Sequence, residues 1–353
     1  MVRSLFFFSA LTLFLFAGCS AYKSISSEGT VEPDPPPDYR VIYYIHGDSD
    51  YLFHDRGGIP KQADDVALSR ALQTAEEANS GEVFIFHHKK KKKWAGLFPR
   101  RSNRFYHFKN GELIKKIKYR PENNDESFLA TESKLFDSIN THSDLDKVRN
   151  VFLFFGHEIP SEPATKYHSS FPEISVDRSS FTEGIKHFIP EETKYDVTVL
   201  SSCSNGSPEM AKELLPVTEV LLASPQNLHL SHMHPKKLSM FETNPDAPAA
   251  DIAQAMAEET YSELSSAVQT VITLTVYRMD ELQPYIKNLN TLVTEYAETH
   301  QINPFRENRD CADLSVLDGG EFNSGVKTFY RAPAFGRESN KENHSGWGCK
   351  PTD

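Results

Sequence analysis

The residues best placed to do chemistry in this 353-residue chain lie in Tyr195–Leu215, YDVTVLSSCSNGSPEMAKELL. A β-branched apolar run, Val197–Leu200, ends in two serines and Cys203; Asn205, Gly206, Ser207 and Pro208 then lead into a helical pattern over Glu209–Leu215. This order predicts a buried strand that delivers Cys203 to a sheet edge. A tight turn follows, and then a helix with Ser207 as N-cap and Pro208 at its first position. A helix N-terminus favours negative charge, so its proximity lowers a thiol pKa and populates the nucleophilic thiolate. The same segment also reads as one more buried cysteine at a strand end, because cysteine packs as a small hydrophobe. A nucleophilic cysteine needs an imidazole near it in space, not in sequence. His157 supplies one: it follows Gly156 at the end of Val151–Phe155 (VFLFF), another run that reads as a buried strand.

The elements that must position these two side chains alternate along the chain. Tyr39–His46 (YRVIYYIH) reads as a buried strand, followed by an acidic loop and a helix over Gln62–Ala78. Glu82–His88 is a second strand, and Arg104–Tyr119 carries an Asn-Gly turn between alternating apolar residues, a hairpin signal. A helix over Phe128–Asn140 precedes the His157 strand, and a short helix over Ser180–Phe188 precedes the Cys203 strand. Glu219–Ser224 (EVLLAS) is one more strand. The alternation predicts an α/β fold, a mostly parallel sheet with helices on both faces, whose sites lie at the carboxyl ends of the strands. His157 and Cys203 both fall there.

The N-terminus speaks to compartment. Arg3 precedes an almost wholly apolar Leu5–Phe16, and Phe16-Ala17-Gly18-Cys19 closes the stretch. The run is too short for a comfortable membrane-spanning helix and has the build of a secretory signal. Small residues before a cysteine resemble the bacterial lipobox, although Phe16 stands where leucine is more usual. Cys19 is therefore expected to be lipidated and to anchor the chain in the bacterial cell envelope, at the outer membrane or cell surface; a plain signal peptide or a short anchor is the alternative. The expected organisation is a signal peptide over 1–18, a Pro/Ser-rich tether over 19–38, a catalytic domain over 39–246 and a C-terminal α+β extension over 247–353. The formal net charge of −11 argues against a general nucleic-acid binder. In an exported protein Cys311 and Cys349 can pair and staple the tail, which leaves Cys203 as the odd thiol. A thiol redox role is disfavoured because no second cysteine lies near Cys203 in sequence.

In this order the elements resemble those of the clostripain-like cysteine peptidases, relatives of the caspases, legumains and gingipains that share the caspase-like α/β fold. The resemblance runs from about Arg40 to the C-terminus. It includes YYIHGDSDYL, the hairpin after the second strand, the strands ending at His157 and Cys203, Gly206 and Glu209, LLASPQN and VITLTVYRMDELQPYIKNLNTLVTEYA. CSNGS is also similar to the legumain form of the cysteine turn. The resemblance implies a Cys203/His157 dyad that hydrolyses peptide bonds through a thioester. It further implies an oxyanion site made by the backbone N–H groups of Cys203 and Glu158, and a substrate pocket that includes Ser201 and Ser224. Two positions depart from the family pattern. Glu158 replaces the glycine that follows the histidine, placing a side chain and a negative charge beside the oxyanion site. Ser201 replaces the acid that relatives specific for Arg or Lys carry two positions before the cysteine. Both departures also fit a catalytically inactive homologue that binds instead of cutting.

Other features carry less. His46-Gly47 mimics the His-Gly wording but reads as a sheet-end residue. His229, His232 and His234 have metal-compatible spacing without a carboxylate or cysteine partner, and read as a solvated or substrate-facing loop. Lys89–Lys93 reads as a solvated basic loop that lipid or cell-wall polymer could meet. Asp48, Asp50, Asp55, Asp64 and Asp65 match no defined calcium loop. No metal ligand set and no cofactor is assigned; calcium, which some relatives use, enters only through the resemblance. The C-terminal extension predicts a helix over Ala249–Ser266, a strand over Val271–Val276, an amphipathic helix over Leu282–His300 and an irregular tail from Pro304.

Overall fold

The computed structural model describes residues 36–48, 51–54, 57–89, 92–94, 98–100, 103–121, 127–140, 148–228, 233–288, 291, 295, 324–336, 339 and 343–347, all within one compact unit, Pro36–Asp353. The chain opens with β1 (Tyr39–Gly47), a small hairpin of β2 (Leu52–His54) and β3 (Pro60–Gln62), helix α1 (Ala63–Glu76) and β4 (Gly81–Lys89). A second small hairpin follows, β5 (Lys92–Trp94) and β6 (Phe98–Arg100), and then the long pair β7 (Asn103–Lys109) and β8 (Glu112–Tyr119). Next come α2 (Ala130–Asp137), β9 (Arg149–Phe155), α3 (Arg178–Lys186), β10 (Tyr195–Ser201), α4 (Pro208–Leu214) and β11 (Thr218–Ala223). A 3-10 turn over Pro235–Ser239, α5 (Met240–Thr243), α6 (Ala249–Ala267), β12 (Ile272–Arg278), α7 (Met279–Leu282) and β13 (Val326–Arg331) complete the described elements.

Nine strands form one sheet in the order β13-β12-β11-β10-β9-β1-β4-β7-β8. The five central strands, β11 to β4, run parallel, and both edges are antiparallel. Parallel strands are covered on both faces, which is why β1 can be apolar almost throughout and is buried at every position. Alternation along β1 sends Val41, Tyr43 and Ile45 to the face closed by α1 and α6, and Ile42 and Tyr44 to the face closed by α2, α3 and α4. That second face is an aromatic layer in which Phe128, Phe152 and Phe154 each meet Phe181 edge-on or tilted, as ring quadrupoles prefer. Arg40 crosses the same layer fully buried; its guanidinium reaches Glu82 at 3.1 Å, which also accepts from His107 at 2.9 Å. Without those partners a buried cation would be very costly.

The hairpin turn falls at Asn110 and Gly111, with φ of 51° and 80°, the left-handed pair that an Asn-Gly sequence supplies at low cost. The C-terminal residues extend the same sheet. β12 joins β11 antiparallel, and β13 joins β12. The tail was expected to pack irregularly, yet Val326–Arg331 is an edge strand. Ser324-Gly325 before it and Pro333 after it bound a short run, and pairing with β12 gives that run its strand conformation. Leu282–His300 lies largely outside the described residues, as do Cys311, Cys349 and Cys19.

His344 is buried in this tail; its Nδ1 accepts the Gly346 N–H at 3.0 Å, and burial pushes its pKa down to about 3. In the unfolded chain the imidazole titrates near 6.5. The unfolded state therefore binds the extra proton at acid pH, so this contribution is complete above about pH 6.5 and is lost as pH falls towards about 3. Between about pH 7 and pH 5 the unfolding free energy of the wild-type chain, from urea titration, should fall more than that of His344→Gln, by at most about 1.4 kcal/mol per pH unit. Equal slopes in the two proteins would contradict this.

Candidate active site

β9 and β10 lie side by side and parallel, with Phe155 opposite Ser201 in the last register pair. The Gly156 N–H extends that pairing to the Ser201 carbonyl at 3.5 Å. The two chains then leave the sheet at the same edge, one to His157 and the other to Cys203. Gly156 is required by packing, because a Cβ there would lie 2.5 Å from the Phe154 ring and 3.1 Å from the His46 Cβ.

The cysteine turn is tight. Ser204 has φ of 54°, a left-handed conformation that costs a non-glycine residue roughly 1–2 kcal/mol. Its N–H donates to the Gln226 carbonyl at 3.0 Å, and the Gly206 N–H donates to Ser224 at 2.8 Å. A Cβ on Gly206 would lie 2.6 Å from the Pro225 nitrogen, so only glycine lets these two backbones approach. The Tyr277 hydroxyl donates towards both the Gly206 carbonyl (3.0 Å) and the Gly346 carbonyl (2.7 Å), while its ring packs on Trp347 at 4.7 Å. The C-terminal tail thus braces the cysteine turn. Ser207 caps α4 by accepting the Met210 N–H at 3.2 Å, with Pro208 in the first turn, as the sequence predicts.

Cys203 is a half-buried thiol outside any disulfide. Its Sγ lies 3.4 Å from the Leu228 nitrogen and 3.6 Å from the Leu228 oxygen, so it sits against the loop that follows β11. His157 is exposed. Its ring stacks on buried Tyr51 at 4.4 Å, and its carbonyl accepts the Tyr167 hydroxyl at 3.0 Å. Loss of solvent on the packed side holds its pKa below the 6.5 of a free imidazole. Tyr51 also reports on the cysteine: burial pushes its hydroxyl well up, and Asp64, Asp48 and Cys203 add to the shift. One aromatic side chain thus lies against the histidine and within electrostatic reach of the thiol.

Sequence reasoning missed the residue that ties the two turns together. Asn205 is fully buried; its Oδ1 accepts the Ile159 N–H at 3.2 Å and its Nδ2 donates to the Ser202 hydroxyl. It links the loop carrying His157 to the turn carrying Cys203. The signal available was a buried-turn asparagine immediately before a glycine, which local reading assigns to turn geometry alone.

The other expected site residues are placed as follows. Glu158 is half-buried, and its carboxylate adds to the upward shift that burial and Tyr51 impose on Tyr167. Ser201 is buried and its hydroxyl accepts the Met233 N–H at 2.7 Å. Ser224 is buried and its hydroxyl bonds within its own turn, to Gln226. His234 caps the 3-10 turn through Nδ1, accepting from the Lys236 N–H at 3.0 Å; His229 and His232 lie outside the described residues. Lys89 pairs with Asp65 at 2.8 Å. Calcium takes six to eight oxygen ligands. Among the described acids of the segment after β1, Asp48 is bonded to Ser169 and Ser170, Asp64 to His87 and Asp65 to Lys89. They form no such cage.

No protein-family model matches the chain, and no curated protein matches it. Solved structures do. A secreted C11 cysteine protease from Bacteroides thetaiotaomicron, "iotapain", superposes with a TM-score of 0.58 at 15% identity, over 89% of this chain and 93% of that one. An inactive zymogen C11 protease from Parabacteroides distasonis gives 0.49 at 14% identity, over 71% of this chain and 64% of that one. The fold is therefore that of a caspase-like C11, or clostripain-like, protease structure.

Asn205→Ala leaves the buried Ile159 N–H without its acceptor. It should lower stability by about 1–3 kcal/mol in urea unfolding, whereas a change within about 0.5 kcal/mol would remove Asn205 from this positioning role.

Proposed function

We propose that the chain is a cysteine endopeptidase in which Cys203 is the nucleophile and His157 the acid–base. The observation that carries the reading is the parallel β9/β10 pair, which releases His157 and Cys203 from adjacent strand ends at one edge of the sheet. The Cys203 thiolate attacks the scissile carbonyl carbon, and the resulting oxyanion meets the backbone N–H groups of Cys203 and Glu158. The C–N bond then breaks as His157 gives its proton to the leaving amine, and a thioester remains. His157, now neutral, takes a proton from water; the hydroxide attacks the thioester and the thiolate departs with the acyl group released as acid. The depressed pKa of His157 supports the base half of this cycle at neutral pH.

Ser201 and Ser224 are proposed as substrate-pocket residues. Neither offers a carboxylate to pair with Arg or Lys, so a P1 side chain other than Arg or Lys is read. Export and anchoring belong to the proposal too: Arg3, Leu5–Phe16 and Cys19 support a lipidated N-terminus in a bacterial cell envelope. No helix among the described residues is long and apolar enough to cross a membrane. The second reading, an inactive homologue that binds peptide as a surface lipoprotein, is favoured by Glu158 and Ser201.

A peptide library decides between the readings. The wild-type chain should cleave it without preference for Arg or Lys, Cys203→Ala should abolish cleavage, and His157→Ala should lower kcat/KM by roughly 10²–10⁴. Because burial lowers the His157 pKa, the acid limb of kcat/KM should fall below pH 6.5. No cleavage by the wild type, or cleavage unchanged in Cys203→Ala, would reject the enzyme. Metabolic labelling with a radioactive fatty acid should mark the wild-type chain and not Cys19→Ser; equal labelling, or none, would reject lipidation at Cys19.

A further inference from the structure

The C-terminal end of β1 holds a cluster that the peptidase reading does not use. His46, Asp48 and His168 are all buried, and each offers one ligand atom within 4.8 Å of the others. His46 is completely buried, yet neither of its ring nitrogens has a hydrogen-bond partner, and the Nδ1 of His168 has none either. A neutral imidazole carries one donor and one acceptor, and buried polar groups are almost always paired. Two histidines are therefore buried side by side with three ring nitrogens lacking a hydrogen-bond partner. Their rings meet edge-on with centroids 4.6 Å apart, and Tyr167 stacks flat on His46 at 4.7 Å, so the ring planes are held by packing.

Asp48 completes the set. Its Oδ1 accepts from the Ser169 and Ser170 hydroxyls at 2.7 and 2.9 Å, and its Oδ2 from the Ser170 N–H at 2.7 Å. A carboxylate has about four acceptor positions, so one remains on Oδ2, and the three bonds orient the group as outer-shell partners orient a metal ligand. His88 lies alongside, with its Nε2 on Glu132 at 2.6 Å and its Nδ1 unpartnered.

We propose that His46, Asp48 and His168 bind a divalent transition-metal ion of the zinc class. Two imidazoles and a carboxylate suit such an ion and leave a fourth position open, whereas calcium would ask for oxygen alone. Bound there, the ion joins the end of β1 to the 167–170 segment, whose Tyr167 holds the His157 carbonyl. In the other clustered group, Asp64, Asp65 and His87, both carboxylates are engaged: Asp64 is bonded by His87 at 3.0 Å and Asp65 by Lys89 at 2.8 Å, and only the His87 Nδ1 is left without a partner.

The test is independent of peptidase activity. The full chain, stripped with a chelator and shown to be folded by circular dichroism, is titrated with cobalt(II). It should show the visible bands of a low-symmetry, four- or five-coordinate site at about one ion per chain, and zinc(II) should abolish them by displacement. His46→Ala and His168→Ala should each weaken binding by roughly a hundredfold or more, and His87→Ala should leave the spectrum unchanged. A folded wild-type chain that gives no cobalt bands would overturn the proposal, whether or not the histidine variants fold, and would indicate a site that holds only water. Bands that persist in both His46→Ala and His168→Ala would place the ion elsewhere and overturn it equally.

Discussion

The parallel pairing of β9 with β10 is the constraint on which the rest depends. Register opposes Phe155 to Ser201, so the next residues of both strands must leave the sheet at the same edge and a strand spacing apart, about 4.8 Å. β1 pairs with β9 on the other side and ends two residues further on, at Gly47, with His46 beside Gly156. Three strand ends therefore crowd the carboxyl edge, where open α/β sheets place their sites. The aromatic layer beneath them makes that edge rigid: Tyr44, Phe128 and Phe154 pack directly under the histidines.

Juxtaposed strand ends alone do not make a working geometry, because loops leaving a sheet are free to diverge. Here three side chains hold them through long-range bonds. Asn205 joins the cysteine turn to Ile159, Ser201 joins β10 to Met233, and Tyr277 joins Gly206 to the C-terminal tail. These contacts offset the strain at Ser204, which the local sequence would not adopt unaided. The tail is thus structural support for the Cys203 turn, and β12 and β13 belong to the same sheet as the strands that lead to it.

What the sequence made legible was whatever is decided locally. Apolar runs located the central strands, Asn110-Gly111 marked the hairpin, and Ser207-Pro208 marked the start of α4, because each rests on nearest-neighbour backbone chemistry. Alternation of elements was enough to predict the mostly parallel sheet and its two covered faces. Contacts made across the sheet were not legible. Tyr51 against His157, Asn205 against Ile159 and His46 against His168 join residues from different loops, and no periodicity encodes them. From sequence His46 reads as an ordinary sheet-end residue, because it is packed against Tyr167 and His168, more than a hundred positions away in the chain. The edge strand β13 escaped for the same reason.

Thiol reactivity tests the central claim most directly. Alkylation of Cys203 by iodoacetamide, followed by peptide mapping, reads whether strand-end placement beside His157 yields an activated nucleophile. The account predicts that Cys203 in the wild-type chain reacts faster at neutral pH than a free model thiol, and that His157→Ala removes the advantage. A rate no greater than the model thiol, or one indifferent to His157→Ala, would contradict it.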